Sequence, residues 1–527
     1  LRLSALLNSM DAAGEGAVRI QPAAALESRQ PAAETDPEIT SIHYRAQEVT
    51  PGGLFVAIKG LAADGHDYVE TAVARGAAAI VVQAVTGAPS GVVTLVSANT
   101  RVALAALADG FYGQPSQAMT VIGITGTNGK TTTSYLIERI LQEAGFSTGV
   151  IGTINYRYAG EQFPSPVTTP ESLDLQRILA RMRAAKVTHA VLEVSSHALD
   201  LHRVAGCRFD VGVFTNLTQD HLDYHKDMDS YWESKKRLFT ELLPRGPKND
   251  RATAVINRQD PKSRELEEIT SLRTIRVGYA ADNDLSITDP NCSLSGISGR
   301  MVAAGETLEF RSPLVGTHNC ENILCAAGVG VALGISLPVI CDGIAGLASI
   351  PGRLEPVPDD RGRHVYVDYA HTPDALENVI AAVKELAVGR TICVFGCGGD
   401  RDRGKRPLMG AIAASGCDLA VVTSDNPRSE NPDRIIAQIL HGVRSAGGQQ
   451  LEAADLAGGF ERRGYVVEPD RRQAIRLAVA ACRPGDTLLI AGKGHENYQI
   501  LSDRTIAFDD RQVALEMLKE IRCDASN

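Results

Sequence analysis

Short apolar runs alternate along most of the chain with longer stretches in which apolar side chains recur every three to four positions. The runs predict strands buried on both faces, and the longer pattern predicts helices with one covered face. Repeated in series, the two patterns predict an α/β protein with mostly parallel sheet covered by helices on both sides. Strands are expected at 54–58, 78–82 and 92–96 in a first part, with helical patterns at 68–75 and 101–110. A second series of strands falls at 190–194, 211–215 and 254–257, then a polar, β-rich excursion at 280–312 and an Ala-rich helix at 322–333. A third series lies at 365–369, 391–395, 419–423 and 487–490. The Gly113-Gln114-Pro115-Ser116 stretch reads as a linker, and a length of 527 residues is too long for one core. We therefore expect three domains, at 1–117, 118–350 and 351–527.

The segment Thr120-Val121-Ile122-Gly123-Ile124-Thr125 ends a strand, Gly126-Thr127-Asn128-Gly129 makes a glycine-bearing turn, and Lys130-Thr131-Thr132 opens a helix. Strand, glycine turn and helix N-terminus together suit a phosphate: backbone N–H groups approach it, the helix adds partial positive charge, and Lys130 adds a full one. Thr131 offers a hydroxyl to a Mg²⁺ bridging the phosphates. Ile124 stands where the longer P-loop pattern has its first glycine, so this is a shorter variant.

Composition narrows the class. With 44% hydrophobic and 22% charged residues the chain is an ordinary globular protein, and a net charge of −10 argues against a nucleic-acid-binding surface. The ten cysteines form no C-x-x-C pair, which indicates neither a zinc site nor a redox motif and fits a cytoplasmic protein. No apolar run reaches the ~18 residues that span a bilayer, and the first ten residues do not read as a signal peptide. A monomer working on small molecules, away from membrane and nucleic acid, is the expectation.

Polar clusters follow the predicted strands, where open α/β sheets gather their chemistry. Glu193-Val194-Ser195-Ser196-His197 follows one strand, and the run from Thr215 through Asp220 and His221 to His225 follows another. Glu193 and His221 can converge on a metal beside Thr131; carboxylate oxygen suits Mg²⁺, and imidazole is tolerated. Lys235, in a helical segment with Tyr231 and Trp232, reads from composition as a surface charge. In the third part, Arg401, Lys405, Arg406 and Arg428 form a cationic cluster that suits a small carboxylate-bearing substrate.

The motifs, in order, are GTNGKTT (126–132), TTPES (168–172), EVSSHAL (193–199), TNLTQDHLDYH (215–225), YWESKKRLF (231–239), GTHNCEN (316–322), PGRLE (351–355), VDYAHTPDALE (367–377), GCGGDRDRGKRP (396–407), DNPRSENP (425–432) and AGKGHENYQ (491–499). This set resembles the Mur ligase family of peptidoglycan precursor enzymes over nearly the whole chain. The resemblance implies a UDP-binding N-terminal domain, a central ATPase domain and a C-terminal Rossmann-like domain. It also implies an ADP-forming ligase that joins meso-diaminopimelate to the D-Glu γ-carboxylate of UDP-N-acetylmuramoyl-L-Ala-D-Glu through an acyl phosphate. By the same resemblance, Gly126, Thr127, Asn128, Gly129, Lys130, Thr131, Thr132, Asn319, Arg353, Asp368 and His371 surround ATP. Thr131 and Glu193 serve one Mg²⁺; a carbamylated Lys235, with His221, serves a second. Thr168, Thr169, Ser195 and Arg203 hold the muramoyl dipeptide. Arg401, Asp425, Asn426, Pro427, Arg428, Gly492 and Glu496 line the amino-acid pocket, Arg428 taking the distal carboxylate and Glu496 the distal ammonium.

The sequence departs from the family pattern at Arg45-Ala46-Gln47, where relatives carry Asp-Ser-Arg, and at Leu201, where some carry Gln. A lysine-adding ligase, or a folylpolyglutamate-synthase-like ligase, is the alternative; the D-N-P-R form of 425–428 favours diaminopimelate.

Overall fold

The computed structural model describes residues 1–12, 21–22, 36–60, 63–84, 92–220, 222–245, 252–456 and 460–524. They fall into two compact units, one of 1–286 with 322–343 and one of 287–321 with 344–527. Both are α/β, with strands that are mostly parallel.

The first unit opens with a five-stranded sheet of order β1-β5-β4-β3-β2, formed by Gln21–Pro22 (β1), Ser41–His43 (β2), Gly53–Val56 (β3), Ala77–Val82 (β4) and Val93–Val96 (β5). Leu54, Val56, Ala79, Val81 and Leu95 pack on Leu104 and Leu107 of the Thr100–Phe111 helix, whose first turn is capped by the Asn99 side chain.

Its second sheet is built on β6, Thr120–Thr125. Val121, Ile122 and Ile124 are buried there because β10 (His189–Glu193) and β11 (Val211–Phe214) pair with β6 in parallel on either side. Outward from these lie β7 (Thr148–Ile151) beside β10, followed by β8 (Asn155–Tyr158) and β9 (Glu161–Pro164), and β12 (Thr253–Asn257) and β13 (Arg273–Gly278) beyond β11. The chain goes from β6 to β7 on one flank and from β10 to β11 on the other, so the order reverses around β6. A crevice at such a point, outside the carboxyl ends of the strands, is where α/β sheets bind ligands. The Lys130–Glu143 helix follows, burying Leu136, Ile137, Ile140 and Leu141 as one stripe.

In the second unit, Glu355–Val357, His364–Asp368, Thr391–Phe395, Leu419–Val422, Gly464–Val467 and Thr487–Ala491 make a six-stranded sheet. All neighbours are parallel except the first pair. The expected strands at 365–369, 391–395, 419–423 and 487–490 are its four central ones. The excursion at 280–312 is strand-rich, with Gly296–Ala303 pairing antiparallel to Glu306–Ser312. The helix expected at 322–333 begins earlier, at His318, so Asn319 lies in its first turn. No helix among the described residues is long and apolar enough to cross a membrane.

Candidate active site

The phosphate loop leaves β6 at Gly126, whose φ of +148° puts a hypothetical Cβ 1.9 Å from Thr215 Oγ1, so only glycine fits. Neutral groups from the 215–218 segment clamp the loop. Thr127 N donates to Asn216 O (2.9 Å), Asn128 N to Asn216 Oδ1 (2.8 Å), and Thr215 Oγ1 to Asn128 O (2.7 Å). Thr218 N donates to Thr127 Oγ1 (3.0 Å), which also meets the Tyr231 hydroxyl (3.2 Å). These bonds give the 215–218 segment a scaffold role that its sequence does not reveal.

Lys130 Nζ donates to the carbonyls of Gly126 and Thr127, both at 2.8 Å. Thr131 and Thr132 are buried in the helix's first turn. Thr131 Oγ1 donates to Glu193 Oε2 (3.0 Å), as does Thr153 Oγ1 (2.8 Å), while Thr153 N donates to Glu193 Oε1 (3.1 Å). Glu193 is 1% exposed at the end of β10, next to β6. Oxygen donors from Thr131 and Glu193 thus meet beside the phosphate loop, a set that fits Mg²⁺. No cluster of three or more His, Cys, Asp or Glu suited to a metal occurs among the described residues. His221 lies outside the described residues.

Lys235 departs from the surface reading: it is 1% exposed. Its helix, Met228–Arg237, buries Tyr231, Trp232 and Lys235, and the chain continues with buried Leu238 and Phe239. Lys235 therefore occupies a core-facing position of an i, i+3, i+4 stripe, a signal that composition by itself conceals. Its Nζ donates to Gly126 O at 2.8 Å and lies 4.3 Å from the centre of the Tyr231 ring. Burial, with the Lys130 charge second, pushes its pKa well below that of an ordinary lysine, against a smaller upward pull from Asp220. Two amines meet at one carbonyl, so a charge on one disfavours a charge on the other.

Of the residues expected to hold the muramoyl dipeptide, Thr169 and Ser195 are interlocked. Thr169 Oγ1 donates to Glu193 O (2.8 Å) and accepts from Ser195 N (3.1 Å), and Ser195 Oγ caps Ala198 N (3.2 Å). Thr168 Oγ1 meets Thr153 Oγ1 at 3.1 Å. Arg203 donates to Thr169 O (3.1 Å) and lies 3.6 Å from Glu171, which also pairs with Arg101 (2.9 Å).

In the second unit, Asp368 Oδ1 and Oδ2 accept from Ala370 N and Leu354 N, both at 2.8 Å, and burial pushes its carboxyl upward. The Arg353 guanidinium lies 5.3 Å from the Tyr369 ring centre, and the His371 and His495 rings lie 4.6 and 4.8 Å from the same ring. Burial, then the Arg353 charge, brings the His495 pKa down to about 4. Lys405 Nζ donates to His371 O (2.8 Å), and Asn319 Nδ2 to Val315 O (2.8 Å).

The 425–428 loop follows the Leu419–Val422 strand. Asn426 Nδ2 donates to Glu496 Oε2 (2.9 Å), and Gln499 Nε2 donates to Asp425 O (2.6 Å). Pro427 O accepts from Glu430 N (3.0 Å), closing the turn at Arg428, which takes the left-handed φ of +50°. Arg428 Nη1 donates to Gly399 O (2.9 Å), and Arg401 Nη1 to Asp400 O (3.1 Å). Gly492 has φ +116°, and a Cβ there would come within 2.8 Å of Asp425 Oδ2. The expected cationic cluster needs one correction. Arg406 is wholly buried in the Lys405–Gly416 helix and grips Glu430 through both Nη atoms (2.8 and 3.0 Å), so it is a strut from that helix to the Glu430 turn.

Family models match along the chain: the Mur ligase family, catalytic domain at 38–112, the Mur ligase middle domain at 124–330 and the Mur ligase, glutamate ligase domain at 352–494. The chain belongs to the Mur ligase family. Among its relatives, the UDP-N-acetylmuramoyl-L-alanyl-D-glutamate--2,6-diaminopimelate ligase of Geobacter metallireducens is 49% identical, over 92% of this chain and 95% of that one. The ligase of the same name from Geobacillus thermodenitrificans is 42% identical, over 92% and 96%. A solved structure of a UDP-N-acetylmuramoyl-L-alanyl-D-glutamate--2,6-diaminopimelate ligase superposes with a TM-score of 0.66 at 30% identity, covering 96% of this chain and 100% of that one.

Proposed function

We propose that this protein is an ATP-dependent ligase that adds meso-diaminopimelate to the D-Glu γ-carboxylate of UDP-N-acetylmuramoyl-L-Ala-D-Glu in peptidoglycan precursor synthesis. The observation that carries the reading is the Asp425-Asn426-Pro427-Arg428 turn tied to Glu496, in a chain 49% identical to a ligase of that name. A division at 1–117, 118–350 and 351–527 is supported by the three matching family models. Cytoplasmic location and a monomeric state belong to the same proposal.

The γ-carboxylate oxygen attacks the γ-phosphorus of ATP, and the bond to the ADP oxygen breaks. The amine of diaminopimelate then attacks the acyl carbon, an amide forms, inorganic phosphate leaves and the amine gives up a proton. A carboxylate oxygen leaves poorly, whereas phosphate leaves well, so ATP supplies the activation. Lys130, released from its loop carbonyls, neutralises charge on the β- and γ-phosphates, and the Gly126–Gly129 stretch offers N–H groups to them. Thr131 and Glu193 would hold one Mg²⁺, and Lys235 as its carbamate, with His221, would hold a second; the metal would supply charge neutralisation at the transferring phosphoryl group. CO₂ adds to an amine in its neutral form, which the burial of Lys235 beside Lys130 favours. Asn319, Arg353, Asp368 and His371 are further ATP-binding residues in this reading. Thr168, Thr169, Ser195 and Arg203 position the acceptor carboxylate.

The test is phosphate release with ATP, Mg²⁺ and UDP-N-acetylmuramoyl-L-Ala-D-Glu, comparing meso-diaminopimelate with L-lysine. Turnover with diaminopimelate alone is expected. Turnover with lysine would keep the family and reject the substrate, and glutamate addition to a folate would favour the folylpolyglutamate reading.

A further inference from the structure

Lys493 has no role in the chemistry described above, yet it is wholly enclosed beside the amino-acid pocket, with 0% of its side chain exposed. Its Nζ lies 3.2 Å from Glu496 Oε2, 3.2 Å from Asn426 Oδ1 and 3.8 Å from Asp425 Oδ1. A buried lysine is costly to desolvate and needs a compensating reason. The hydrogen bonds around it are directional. Asn426 Oδ1 accepts from Lys493 Nζ and from Ile500 N (2.9 Å), which orients the amide so that Nδ2 donates to Glu496 Oε2. Both of these bonds to Glu496 fall on Oε2, and neither donor takes Oε1. Lys493 also places a positive charge opposite two carboxylates, Asp425 and Glu496, that would otherwise crowd one site.

Resting on the diaminopimelate reading of this pocket, we infer that Lys493 is the positioning residue for distal-amine recognition: it fixes Asn426 and Glu496 Oε2 so that Glu496 Oε1 meets the distal ammonium. Lys493 touches no reacting atom, and its effect passes through Glu496. A pocket for a zwitterionic end then has two halves, an arginine for the carboxylate and a lysine-backed glutamate for the ammonium.

The experiment uses the full chain and phosphate release, with Lys493→Met, Glu496→Gln and the double variant. The varied substrates are meso-diaminopimelate and 2-aminopimelate, which keeps both carboxylates and lacks the distal amine. Lys493→Met should raise the KM for diaminopimelate about tenfold or more, the scale of a lost charged hydrogen bond. KM for ATP and for the UDP-linked dipeptide should move by less than about twofold, and 2-aminopimelate should be used no worse than by the unaltered protein. In the Glu496→Gln background the Lys493→Met change should add little, because the two act as one unit. Lys493→Gln, of similar size and uncharged, takes its place if the Met variant does not fold. Equal loss for all three substrates, or full multiplicativity with Glu496→Gln, would overturn the inference and leave Lys493 as a structural prop. If Glu496→Gln raises the KM for diaminopimelate and Lys493→Met does not, the inference fails and the pocket reading stands. If neither Glu496→Gln nor Arg428→Ala affects it, the pocket reading itself fails.

Discussion

Between the phosphate loop and the 215–218 segment the ties are neutral, running between threonine hydroxyls, asparagine amides and backbone groups, while the Lys130 and Lys235 amines meet the loop carbonyls. Around the 425–428 loop they are largely ionic: Arg406 with Glu430, and Lys493 with Glu496 and Asp425. The contrast follows from what each surface would receive. A triphosphate brings several negative charges, so a neutral frame leaves Lys130 and the amide N–H groups to meet it undiluted. The distal end of diaminopimelate would bring one charge of each sign, and a lattice of paired charges can present each sign at a chosen point at the cost of desolvation.

This difference can be broken from either side. The largest effect is expected for Lys130→Ala and Lys235→Ala, each lowering turnover by about a thousandfold or more, read by phosphate release. Intact-protein mass should show one added CO₂ on the unaltered chain and none on Lys235→Ala. Arg428→Ala should raise the KM for diaminopimelate by about ten- to a hundredfold, the range of a lost charged hydrogen bond, with the KM for ATP nearly unchanged. Thr215→Ala removes one neutral clamp on the phosphate loop and should cost about 1 kcal/mol in denaturant unfolding, with a matching weakening of ATP binding. The smallest effect is a pH dependence. The folded-state pKa of His495, brought down to about 4 by burial and then by Arg353 and His371, lies below its unfolded value of about 6.5. The unfolded chain binds the extra proton between those values, so stability should fall as pH drops from about 6.5 toward 4. His495→Asn should flatten that slope in unfolding titrations.

The phosphate loop was legible because strand, glycine turn and helix are local patterns, and the structure has β6, Gly126 and the Lys130–Glu143 helix in that order. The four main strands of the second unit were legible for the same reason. The short strands Asn155–Tyr158, Glu161–Pro164 and Glu355–Val357 were not, because they are only partly buried and no apolar run marks them. Resemblance reached Lys235 where composition read a surface charge, and the burial of its helix face accounts for the difference. Arg406 was grouped with ligand-facing cations because sequence distance hides Glu430, its partner 24 positions away.

By itself, then, the sequence determined the alternation of strands and helices, the nucleotide loop and the family, since these rest on patterns a few residues to a few tens of residues long. Tertiary structure alone decided which charges are spent on the protein and which face a ligand. Lys235 meets Gly126 across 109 positions and Lys493 meets Asn426 across 67. The energy of a charge depends on its burial and on neighbours within a few ångströms, and the order of residues along the chain does not state either.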